Sequence, residues 1–127
     1  MAIKFKTIQK GQPGVAGGGE KKFYASTVNE GEVTIDGVTK MIEKISTVSG
    51  ADIRAVLYAL VDVSSDVLGD SRIVRLGDLG SLRISISSEG KATEEEVNSG
   101  CIKNASVIFT PGTRLKTMLA SAKYQKV

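Results

Sequence analysis

Leu76-Gly77-Asp78-Leu79-Gly80-Ser81-Leu82-Arg83-Ile84-Ser85-Ile86, near the middle of a 127-residue chain, reads as a tight turn feeding a strand. Gly77 and Gly80 suit a turn where the backbone bends sharply or lies close to another chain. Beyond them Leu82, Ile84 and Ile86 alternate with Arg83, Ser85 and Ser87, giving one buried and one wet face. Downstream, Val107-Ile108-Phe109-Thr110-Pro111-Gly112-Thr113-Arg114-Leu115-Lys116 completes a partner strand from Ile102 to Phe109 and opens a helix. Thr110 suits the cap and Pro111 the first helical position. Leu115, Met118, Leu119 and Ala122 form that helix's apolar stripe, and Arg114, Lys116, Lys123 and Lys126 make it basic. Lysines 123 and 126 favour the negative end of the helix dipole, but Arg114 and Lys116 lie near the positive end, which calls for a functional reason.

Upstream, Arg72 to Leu76 reads as a strand, preceded by two helical patterns. Ile35, Val38, Met41, Ile42, Ile45 and Val48 fall at helical spacing after a Thr34 cap, ending near Ser49. Ser49 then caps a second helix with Asp52 in its first turn; Ile53, Val56, Leu57, Leu60, Val61, Val67 and Leu68 form its broad apolar face, and Gly69 suits its end. Two amphipathic helices joined so closely read as a helical hairpin, and so broad a face suits burial against a partner subunit. At the N-terminus, Ile3, Phe5 and Thr7 alternate with Lys4 and Lys6, and a similar pattern runs from Phe23 to Val28, so two short strands are expected. The glycine-rich stretch between them, Gly11-Gln12-Pro13-Gly14-Val15-Ala16-Gly17-Gly18-Gly19, reads as a flexible loop; it lacks the lysine and following helix of a phosphate-binding loop. The polar run Ser88 to Gly100, with Glu94-Glu95-Glu96, reads as a loop or projecting arm.

Composition narrows the chemistry. The chain has no histidine, which removes the commonest general base and metal ligand, and its single Cys101 permits no internal disulfide. Neither a nucleophile-base pair nor a cofactor motif is present, so no enzyme, cofactor or small-molecule substrate is expected. There is no apolar run of membrane-spanning length and no secretory leader, so a cytoplasmic location is expected. Net charge is +3, unevenly spread: basic against acidic residues number 5 to 3 over 1–33, 3 to 5 over 34–69, 5 to 6 over 70–110, and 4 to 0 over 111–127. Any electrostatic footprint for phosphate is local and lies mainly at the two ends.

The two quoted segments and the order helix, helix, strands with an arm, basic helix resemble the HU/IHF family of bacterial histone-like DNA-binding proteins. With strands added at the N-terminus, the chain is similar to the extended HU-like proteins of Bacteroidetes. The resemblance implies an α+β fold with an N-terminal β extension over residues 1–33 and an HU-like DNA-binding domain over 34–127. It further implies a homodimer whose saddle holds double-stranded DNA in the nucleoid without reading sequence. Arg83, Lys91 and Lys103 would lie on saddle and arm, Gly112, Thr113, Arg114 and Lys116 at the helix start, and Arg72 and Arg75 on the strand before the turn, all as phosphate contacts.

The chain departs from the family pattern between its two motifs. The arm strand is rich in serine rather than lysine and arginine, the tip is acidic, and only Pro13 and Pro111 are prolines, so no proline stands ready to kink a duplex. An alternative reading is therefore an HU-derived dimeric structural or protein-interaction module that has lost most DNA binding.

Overall fold

Local periodicity becomes structure where it is strong and yields to long-range pairing where it is weak. A computed structural model describes residues 1–12 and 14–127. Along the chain run β1 (Ile3–Lys10), β2 (Lys22–Thr27), α1 (Ile35–Ile45), α2 (Gly50–Gly69), β3 (Val74–Arg75), β4 (Gly80–Ser88), β5 (Ile102–Pro111), α3 (Thr113–Ala120) and β6 (Tyr124–Lys126). They form two units, Met1–Thr34 with Leu119–Val127, and Ile35–Met118.

In the first unit β1 pairs antiparallel with β2, from Phe5 opposite Thr27 to Lys10 opposite Lys22. Its other edge pairs parallel with β6, Ile3 opposite Tyr124 and Phe5 opposite Lys126. The Ile3 amide donates to Lys123 O at 2.8 Å and the Val127 amide to Phe5 O at 3.0 Å. Lys123 and Lys126 are therefore not in the last helix, as their sequence position implied. The free edge of β1 offers the tail a ladder of hydrogen bonds, and the helix stops at Ala120. Within the loop between β1 and β2, Ala16–Gly18 forms a 3-10 turn and the Gln12 amide donates to Gly18 O at 2.6 Å; Pro13 lies outside the described residues.

In the second unit the Ser49 hydroxyl accepts from the Asp52 amide at 3.3 Å, the expected cap of α2. Helix α1 ends at Ile45, earlier than its apolar spacing implied. Ile53 and Leu68 are the buried apolar residues of α2, and Thr39 of α1 is buried with its hydroxyl on Ile35 O at 2.7 Å. An Arg54–Asp36 ion pair links the two helices. Both residues are exposed, so the pair contributes little to stability.

Strand β3 is shorter than expected. The Arg72 amide donates to Val67 O at 3.2 Å, and Ser71, with φ of 64°, turns the chain out of α2. Arg72 thus belongs to the helix terminus and not to the strand. The antiparallel sheet β3-β4-β5 carries the longest ladder, from Gly80 opposite Pro111 to Ser88 opposite Ile102. Pro111 is consequently the last residue of β5 and does not open the helix. Gly112 O accepts from the Lys116 amide at 3.0 Å, which places the helix start two residues later than the Thr110-Pro111 cap would.

Candidate nucleic-acid interface

Strict alternation along the β4–β5 ladder sorts its side chains onto two faces. Leu82 opposes Phe109, Ile84 opposes Val107 and Ile86 opposes Ala105 on one. On the other, Ser81 opposes Thr110, Arg83 opposes Ile108, Ser85 opposes Ser106 and Ser87 opposes Asn104. Arg75 opposes Ser81, so it shares the face of Arg83. The result is a hydroxyl-lined surface bearing two guanidinium groups. Arg75 and Arg83 are both exposed. Hydroxyls and amides of this kind donate to phosphate oxygens, and arginine adds charge and a planar fork of donors. Asn104 and Ser106 were not singled out from the sequence, and Thr110 only as a helix cap, although the alternation of Ala105, Val107 and Phe109 between them carries the signal.

Lys103 sits where the register slips. Ser87 faces Asn104 and Ser88 faces Ile102, which leaves Lys103 as the extra residue of a β-bulge. Lys91 lies beyond the strand and pairs with Glu89 at 3.4 Å, so part of its charge is compensated. The segment expected as a loop or arm is a folded tip. Glu94–Glu96 forms a 3-10 turn, Asn98 Oδ1 accepts from the Gly100 amide at 2.9 Å, and the Glu89 amide donates to Cys101 O at 2.8 Å. Cys101, 4% exposed, anchors this tip, with its Sγ 3.6 Å from Glu96 O.

At the start of α3 the Gly112 amide is already engaged, donating to Leu79 O at 2.9 Å. A Cβ there would fall 2.4 Å from Asp78 O, so glycine is required for the turn to lie against the helix entry. The amides that open the helix are those of Thr113, Arg114 and Leu115, whose i−4 partners lie outside it. Arg114 and Lys116 are exposed beside them. Both turn and helix start are therefore fixed relative to β4 by backbone contacts at Gly80 and Gly112. Arg72, in contrast, is held at the end of α2.

Residues 1–126 match the family described as an HU domain fused to wHTH, Ig or glycine-rich motif. The chain belongs to this HU-HIG family. A solved structure from Bacteroides vulgatus, described as that of a candidate bacterial DNA-binding protein, is similar with a TM-score of 0.64 at 15% identity. The alignment covers 100% of this chain and 49% of that one, so this chain spans about half the length of its neighbour. At that identity the likeness shows the HU-like fold alone. No curated protein matches. Among the described residues no helix is long and apolar enough to cross a membrane, and no cluster of three or more acidic, cysteine or histidine side chains could hold a metal ion.

Proposed function

We propose that this HU-HIG chain binds double-stranded DNA without reading its sequence, as a histone-like, nucleoid-associated homodimer. The observation that carries the reading is the hydroxyl-lined face of β4 and β5 with Arg75 and Arg83 on it. The Bacteroides neighbour's description as DNA-binding is consistent with it. Affinity comes from phosphate neutralisation, with Arg114, Lys116 and the amides of Thr113 and Arg114 adding contacts at the helix start. Lys103 and, more weakly, Lys91 extend the footprint toward the tip, and Arg72 is the least favoured contact. The tip carries Glu94–Glu96 and no proline, so the reading calls for binding to the duplex and not for a proline wedge in it.

The exposed surface supports the homodimer. Ile84, Ile86, Val107 and Phe109 on the apolar sheet face are between 42% and 58% exposed. A second copy would cover such surface.

The test is fluorescence anisotropy on linear, nicked and kinked duplexes across a salt series. The Arg83→Glu and Arg114→Glu variants should weaken binding to all three and lower the slope of log K against log salt by about 1 for each phosphate no longer neutralised. Absence of binding at low salt, or an affinity indifferent to salt, overturns the reading. Two observations favour a protein-interaction module instead: the tip is acidic, and residues 35–118 carry ten basic against eleven acidic side chains. That module would form a stable dimer whose Arg83→Ala and Arg114→Ala variants leave nucleic-acid affinity unchanged.

A further inference from the structure

The two basic ends of the sequence meet in one sheet. Residues 1–34 and 119–127 hold seven lysines against three glutamates, a net +4, while residues 35–118 carry a net −1. The net positive charge of the chain therefore resides in the unit that holds the β2-β1-β6 sheet and not in the unit Ile35–Met118.

Register concentrates part of that charge on one face. Lys6 opposes Ser26, Ile8 opposes Tyr24 and Lys10 opposes Lys22, with Lys4 on the same side of β1. Lys6, Lys10 and Lys22 are exposed. Lys4 is compensated by Glu30, but among the described residues no carboxylate pairs with the other three. Like charges directly opposite across strands are destabilising. Lys10 rests 5.0 Å from the Tyr24 ring centroid, a contact that positions the ammonium over this face without neutralising it. Three uncompensated ammonium groups on adjacent strands raise the energy of the free sheet and are relieved by a polyanion.

Chemistry also selects the polyanion. A membrane-surface element carries apolar side chains for insertion on the side that meets the headgroups. Here the exposed aromatics Phe23 and Tyr124 oppose Gln9 and Ile3, and so point to the other face, as does Lys126 opposite Phe5. We infer that the face bearing Lys6, Lys10 and Lys22 is a second phosphate-binding surface for duplex DNA, on a different sheet from Arg83. The inference rests on the DNA-binding reading above.

The full-length chain and its Lys6→Gln/Lys10→Gln/Lys22→Gln variant are titrated against one linear duplex across salt. The expected result is a slope of log K against log salt reduced by about 2 or more and an affinity at low salt reduced about tenfold or more. Lys126→Gln, on the opposite face of the same sheet, leaves the slope unchanged. Thermal denaturation of the triple variant, which relieves the Lys10–Lys22 repulsion, shows no loss of midpoint and so excludes misfolding as the cause. If the wild type binds no DNA, this inference and the function both fall. If Arg83→Glu lowers the slope while the triple variant keeps it, only this inference falls. Vesicles containing phosphatidylglycerol are titrated in parallel, and loss of vesicle binding with DNA binding intact assigns the face to membranes and overturns it.

Discussion

Two glycines hold the turn and helix entry together, and they do so for different reasons than a third. Gly80 combines φ of 144° with a tight approach to β5: a Cβ would fall 2.3 Å from Thr110 O and 2.8 Å from the Phe109 ring. Relieving that overlap means moving β5 away from the residue pair Gly80–Pro111, which anchors the ladder. Gly77, with φ of 59°, would meet nothing within 4 Å and is constrained by backbone conformation alone. Gly80→Ala should therefore cost about 2–4 kcal/mol, against about 1 kcal/mol for Gly77→Ala. Urea denaturation checks this as a larger fall in midpoint for Gly80→Ala at equal m-value. Equal costs would show that the close approach is not what selects glycine there. Ser49→Ala removes the side-chain acceptor of the Asp52 amide and should cost about 1 kcal/mol by the same measurement.

At the scale of elements, β6 ties the end of the chain to its beginning. Truncation after Ala122 removes the Lys123 carbonyl that receives the Ile3 amide and the Val127 amide that donates to Phe5 O. With net values of about 0.5–1.5 kcal/mol per hydrogen bond, exchange of the Ile3 amide should accelerate about tenfold or more, while α2 amides keep their protection. Hydrogen exchange read by residue checks both halves of this expectation. The strand was not legible in the sequence, because Tyr124-Gln125-Lys126 is too short to show alternation and its partner lies at the other end of the chain. Helix α2 was legible, since its cap, apolar spacing and stop are all local. Pro111 misled because its fixed φ suits a strand end as well as the first turn of a helix, and the Gly80 contact decides between them. The Arg83 face was legible through the period of two. The bulge at Lys103 and the folded tip around Cys101 were not, because both depend on which residues meet across the hairpin.

For the whole molecule, the apolar residues that stay exposed outweigh those that are buried. Ile53, Leu68 and Cys101 are its buried apolar residues among those described, too few to hold a chain of 13.4 kDa. Helix α2 shows where the rest of the core must come from. Ile53, Leu57, Ser64 and Leu68 face its own chain, whereas Val56, Leu60 and Val63, at i, i+4 and i+7, form a second stripe that is 65%, 38% and 59% exposed. A helix apolar on two sides is stable in water only when both are covered, and among the described residues nothing fully covers the second stripe. If a second copy supplies it, folding and association are one process and the midpoint of thermal unfolding rises with protein concentration. Sedimentation equilibrium should then give twice the 13.4 kDa chain mass. Leu60→Asp with Val63→Asp should abolish both the dimer and the cooperative transition, because each carboxylate would be buried without a partner. A double variant that remained a cooperatively folded dimer would show that this stripe is not the interface, whereas a wild type that sedimented as a monomer with a concentration-independent midpoint would remove the dimer itself.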